Sequence, residues 1–183
     1  MVWIVILVIV ALLVIALITL YNRFVRLRNR VDNAWAQIEV QLKRRWDLIP
    51  NLVETVKGYA EHERGTFEAV TEARANAQRA QGPAETAAAE GILGAALGRL
   101  FAVAEAYPEL QADENFRQLQ DELAGTENRI AVERRKYNET VQRYNTDIEL
   151  FPKNIAASLF GFQRNDAYFK AEGAARETPK VKF

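Results

Sequence analysis

The sequence predicts an all-α protein: an N-terminal transmembrane helix continuing into a long-helix antiparallel bundle, with three long helices, a short C-terminal helix and coiled-coil-like packing. Three observations carry this. An uninterrupted apolar run opens the chain, apolar residues downstream recur in steps of 3 and 4, and no alternating β-branched run is bounded by turn residues. The expected organisation is an anchor at 1–21, a helical bundle at 22–169 and an extended C-terminal tail at 170–183.

Residues 1–20 read MVWIVILVIVALLVIALITL, with Thr19 the only polar side chain. As a helix the run spans about 30 Å, the thickness of a bilayer's hydrocarbon layer. A secretory signal would have a basic n-region, a shorter apolar stretch and a small-x-small cleavage site. None is present, so a retained signal anchor is expected. Arg23, Arg26, Arg28 and Arg30 follow at once, and only the amino terminus is basic on the other side. This asymmetry predicts a single-pass protein with its N-terminus outside and its C-terminal domain in the cytoplasm. Trp3 and Tyr21 sit where interfacial aromatics belong.

Beyond the anchor, Phe24, Leu27, Val31, Ala34, Ile38 and Leu42 mark one helical face, resumed by Val53, Val56, Ala60, Phe67 and Val70. The spacing predicts one amphipathic helix of about 55–60 residues, or two in line. Pro50 lacks an N–H and crowds the carbonyl of Trp46, so a kink or break is expected near 48–51.

Gln81-Gly82-Pro83 ends that element and starts an Ala-rich helix at about 84–106, stopped by Pro108. Between Gly91 and Ala104 its only charge is Arg99. A glycine inside a helix costs about 1 kcal/mol relative to Ala, so these glycines need a reason. Gly91, Gly94, Ala95 and Gly98 form the candidate helix or subunit contact, because small-xxx-small spacing lets another helix or a lipid surface approach closely. Tight packing inside the chain's own bundle is the favoured explanation, with a subunit or membrane contact as the alternative. The charge-poor stretch is too short to cross a bilayer.

Asp113 is placed to cap a third helix. Along it Phe116, Leu119, Leu123, Thr126, Ile130, Glu133, Tyr137, Val141, Tyr144, Ile148 and Phe151 keep near-heptad spacing, predicting a packing seam against a neighbouring helix. Phe151-Pro152 ends it, and a short apolar helix follows at about 154–162. Tyr137-Asn138 and Tyr144-Asn145 occupy equivalent heptad positions, where each ring can be buried and each Asn can bond a neighbouring helix. Arg44, Arg45, Arg134, Arg135, Lys136 and Arg143 leave a phosphate or headgroup site as the lesser alternative there.

The chemical inventory is sparse. With 24 Lys+Arg against 24 Asp+Glu, the zero net charge gives no broad reason to expect nucleic acid. The absence of Cys excludes disulfides, thiolate nucleophiles and Cys-ligated metal sites. His62, the only His, lies in a charged stretch and reads as a surface residue. Ser158, the only Ser, has neither a GxSxG elbow nor a local base. The glycines from Gly91 to Gly98 lack the Gly-Lys-Ser/Thr ending and preceding strand of a phosphate loop. No catalytic, cofactor-binding or metal-binding residue is expected, no cofactor is needed, and the chain reads as a non-enzyme.

Specific blocks stand along the chain: Tyr21-Asn22 after the anchor, Val31-Asp32-Asn33-Ala34-Trp35, Gln41-Leu42-Lys43-Arg44-Arg45, Asp47-Leu48-Ile49-Pro50-Asn51-Leu52-Val53 and Val56-Lys57-Gly58-Tyr59. Further on come Tyr107-Pro108-Glu109-Leu110, Phe116 with Leu119-Gln120, Glu127-Asn128-Arg129-Ile130-Ala131, Tyr137-Asn138, Tyr144-Asn145 and Phe151-Pro152. In these blocks the sequence resembles the LemA family of bacterial membrane proteins, and the resemblance covers almost the whole chain. It implies one anchor in a bacterial plasma (inner) membrane and a cytoplasmic helical bundle, with no catalytic residues to carry over. A magnetosome protein among the family's members points toward membrane organisation, and an association with HtpX-type membrane proteases points toward an adaptor role. The expected function is a non-enzymatic, homo-oligomeric scaffold whose partners are the lipid bilayer and its own copies. The alternative is an adaptor or regulator of a membrane protease or signalling protein.

Overall fold

A computed structural model describes residues 1–169, so the expected tail at 170–183 lies outside the described residues. The described residues form helices α1 (Val2–Lys57), α2 (Arg64–Arg79), α3 (Gly82–Glu105), α4 (Pro108–Ala112), α5 (Glu114–Glu149) and α6 (Lys153–Leu159), with no strand among them. The all-helical class and the long apolar N-terminal helix are as the sequence predicts. α1 carries the anchor into the bundle without interruption, and the residues from Val2 to Ala16 are all exposed, as a lipid-facing surface requires.

The first long helix departs from expectation. α1 continues through Pro50, and the chain breaks instead at 58–63. Nor is α2 in line with α1: Arg74 of α2 donates from Nε to the carbonyl of Trp46 at 2.7 Å, which requires α2 to fold back along α1. Pro50 explains why that carbonyl is available. An N–H at position 50 would ordinarily bond the carbonyl of residue 46, and proline has none. Pro50, expected to kink or break the helix, lies inside it and leaves free an acceptor that docks the next one.

α5 runs antiparallel to α1 over most of its length. Tyr59 meets Asp113 at 3.1 Å, Arg44 meets Glu122 at 3.8 Å and Arg23 meets Asp147 at 2.6 Å, one partner number falling as the other rises. α3 runs parallel to α1, with Glu90 beside Arg45 and Trp46 and the helix's far end leading into α4 near Asp113. Asp113 caps α5 by accepting from Phe116 N at 2.9 Å, as the sequence predicts. The heptad stripe of α5 is buried at Phe116, Leu123, Thr126, Ile130, Tyr137, Val141, Tyr144 and Ile148. Phe151, the last member of that series, is instead 79% exposed, because the helix has ended before it.

Two cores result. The distal one joins Ile49, Leu52 and Val56 of α1 to Phe67 and Val70 of α2, Leu93, Leu97 and Leu100 of α3, Leu110 of α4 and Phe116 of α5. The membrane-proximal one joins Phe24, Val31, Ile38 and Leu42 of α1 to Ile130, Tyr137, Val141, Tyr144 and Ile148 of α5, Ala156 and Ala157 of α6, and Phe169. Trp46 packs against both.

Candidate functional site

A concavity lies where the two cores meet. One wall is the α3 face carrying Gly91, Gly94, Ala95 and Gly98; the other is the α5 face from Gln120 through Leu123 and Glu127 to Arg134. Between them is a groove of about 690 Å³ reached by Arg45, Glu90 and Phe101. A methyl built on Gly94 or Gly98 would meet no atom within 4 Å. The expectation that these glycines pack tightly within their own bundle is therefore corrected. α3 buries its opposite face, through Leu93, Ala96, Leu97 and Leu100, and turns Gly94 and Gly98 toward open space. All four residues predicted as a contact line this groove.

Its floor is charged. Arg45 and Glu90 approach to 3.4 Å, with side chains only 10% and 2% exposed. Glu90 also accepts from Trp46 Nε1 at 2.7 Å through its other oxygen. Arg45 Nε and Glu90 Oε2 have no hydrogen-bond partner. The 3.4 Å approach is thus an ion pair without hydrogen-bond alignment, leaving one donor and one acceptor at the base of the groove. Burying both charges costs more than their attraction returns unless the remaining polar atoms are satisfied, so an incompletely satisfied ion pair lies beneath the groove.

The sequence reading missed this pair, although a signal was present. Ile38, Leu42, Arg45, Ile49 and Leu52 repeat at helical spacing, placing Arg45 on the inward stripe. Glu90 holds the equivalent place between Thr86 and Leu93. A charge at a core-facing position marks such a site more sharply than the glycines do.

The other predicted residues fall elsewhere. Arg23 makes a two-pronged bond to Asp147, at 2.6 and 2.8 Å, and Lys153 bonds the same carboxylate. Burial pushes the Asp147 carboxyl up, but the Lys153 and Arg23 hydrogen bonds outweigh it and hold it below the ordinary 3.8. Arg28 lies over the Phe162 ring at 5.8 Å, while Arg26 and Arg30 are exposed. Pro50 lies inside α1 as described above. His62 is exposed in the α1–α2 turn rather than on a helix, and Ser158 is exposed on α6. Among the described residues, no three His, Cys, Asp or Glu side chains converge on a metal-sized site.

The two Tyr-Asn pairs do not bond a neighbouring helix. Asn138 donates to Phe169 O at 2.8 Å and accepts from Phe169 N at 2.9 Å. Asn145 does the same with Asn165, at 2.7 and 2.8 Å, and donates to the Tyr168 hydroxyl at 2.9 Å. Tyr144 donates to Gln163 O at 2.9 Å. The side chains clamp the non-helical segment 161–169 along α5, each carboxamide replacing the strand an extended backbone would otherwise need. Burial pushes the Tyr137 and Tyr144 hydroxyls up.

These features define a class: a membrane-anchored helical bundle with a glycine-walled interhelical groove. The chain belongs to the LemA family, whose model matches residues 34–183. It is 30% identical to magnetosome protein MamQ 2 of Paramagnetospirillum magneticum over 187 residues, covering 88% of this chain and 68% of that protein. It is 29% identical to magnetosome protein MamQ of Magnetospirillum gryphiswaldense over the same shares of each chain. Protein LemA of Metamycoplasma hominis is 27% identical over 164 residues, covering 87% of this chain and 71% of that one.

Proposed function

We propose that this chain is a non-enzymatic scaffold of the bacterial inner membrane, anchored by α1, that self-associates and organises or remodels the membrane. The single observation carrying this reading is the open glycine face of α3 above the buried Arg45–Glu90 pair. A helix from a second copy can approach Gly94 and Gly98 at backbone distance and offer a polar group to Arg45 Nε and Glu90 Oε2. The similarity to magnetosome proteins supports a role at a membrane-bounded structure. The four Arg that follow the anchor support a cytoplasmic body.

The test is particle mass in native nanodiscs, comparing the unaltered chain with the double variant Gly94→Leu, Gly98→Leu. Both positions open into free space, so the variant should stay helical and fold. The expected result is a discrete multi-copy particle for the unaltered chain and a smaller one for the variant. A single-copy particle from the unaltered chain would sink the scaffold reading and turn the groove over to the adaptor alternative, with a membrane protease or signalling protein as the partner to capture.

A further inference from the structure

α6 and the residues around it leave an apolar surface that the bundle does not use. Ala156 and Ala157 face inward and are buried, whereas Leu150 is 52%, Phe151 79%, Ile155 63%, Leu159 68% and Phe160 38% exposed. Ile155 and Leu159, four residues apart, share one helix face. Between 150 and 163 the only charge is Lys153, and its ammonium is held by Asp147. A contiguous patch of large apolar side chains without a free charge marks an interaction surface.

Its position identifies the partner. The Phe160 ring packs edge-on against Tyr21 at 5.1 Å. With Val14, Leu17, Ile18 and Tyr21, Phe160 lines an apolar recess of about 310 Å³ on the flank of α1. Val14 lies about 10 Å along the helix from Tyr21, inside the stretch that spans the hydrocarbon layer. The patch is therefore continuous with the exposed apolar surface of the anchor. Arg26 and Arg30 are exposed just beyond, at the height of phosphate headgroups.

We infer that α6 with its flanks is a second membrane contact, a wedge seated in the leaflet nearest the bundle. Ile155, Leu159 and Phe151 lie among the acyl chains, and the recess beside Phe160 takes part of one chain. An interfacial apolar helix next to a spanning helix fixes the tilt of the bundle and adds area to one leaflet only. The inference rests on the anchored reading of α1 and is independent of self-association.

The chain has no Cys, so single cysteines can carry an environment-sensitive NBD probe without background labelling. Ile155→Cys and Leu159→Cys test the wedge, Leu13→Cys in the anchor reports insertion, and Glu61→Cys in the distal turn reports water; all four positions are exposed. The full chain is reconstituted in phosphatidylcholine and phosphatidylglycerol vesicles, with and without bromine on the acyl chains. The expected result is blue-shifted emission at 155 and 159, with bromine quenching approaching that at 13 and none at 61. Water-like emission at 155 and 159 with quenching at 13 would overturn the wedge alone. So would a blue shift without quenching, which would mean that protein covers the patch. Failure to quench at 13 would remove the anchored reading and the wedge with it.

Discussion

The distal and membrane-proximal halves solve the same problem with different materials. In the distal half five helices surround an apolar core in which Leu52, Val56, Val70, Leu93, Leu100 and Leu110 are fully buried. In the proximal half only α1 and α5 run side by side, and two helices cannot enclose a core between them. A third layer is supplied by α6 and by segment 161–169, which has no helical hydrogen bonds of its own. That segment is held by Asn138, Asn145 and Tyr144 and by the stacking of Phe169 on Trp35 at 5.7 Å. Where enough helices meet, non-directional burial suffices. Where they do not, directional bonds and rings complete the layer.

The contrast can be broken most forcefully in the distal core. Leu52 is fully buried, and Leu52→Ala should cost about 3 kcal/mol, as a cavity among closely packed side chains does. Amide hydrogen exchange in detergent should show α2 and α3 loosening while α5 near Tyr144 stays protected. Loosening of both halves together would mean that the two cores form one cooperative unit.

In the proximal half the corresponding change is polar. Asn145 is 3% exposed and forms three bonds to the clamped segment. Asn145→Ala should cost about 2 kcal/mol by stranding the backbone groups of Asn165. Exchange should rise in 163–169 and leave α2 and α3 unchanged. If Asn145→Leu retained stability, shape rather than hydrogen bonding would be holding the segment.

A smaller effect should appear with acid. The Asp147 carboxyl has a lower value in the folded chain than its ordinary 3.8, so its ties to Arg23 and Lys153 contribute fully above 3.8 and are lost as pH falls below it. Exchange protection in α6 should therefore hold down to pH 3.8 and fall beneath it, and Asp147→Asn should abolish that dependence. Loosening of α6 well above 3.8 would place its control in another group.

Much of this was legible in the sequence, because it depends on periodicity. The anchor, the Asp113 cap and the inward stripe of α5 follow from local spacing. What was not legible depends on partners distant in the chain. Nothing local to Asn138 or Asn145 indicates a peptide segment some 20 to 31 residues away rather than a helix. Nor does the glycine spacing of α3 reveal whether the face is covered, since close packing and an open groove both tolerate small residues. The return of α2 was hidden for a related reason. Its apolar residues continue the period of α1, and only the turn at 58–63 reverses their direction.

The finest test concerns that return, where a directional bond operates beside the apolar core of the distal half. Arg74 bonds the Trp46 carbonyl because Pro50 cannot, so the two residues should be energetically coupled. Arg74→Ala alone should cost about 1 kcal/mol, the net worth of one such bond. Pro50→Ala gives the carbonyl an intrahelical donor, and against that background Arg74→Ala should cost measurably less in chemical unfolding. Additive losses would mean that α2 is held by Phe67, Val70 and Ala77 alone, making the distal core apolar in its attachments as well as in its interior. Coupled losses would show that both halves use directional bonds at the one kind of place where burial alone leaves a backbone group without a partner.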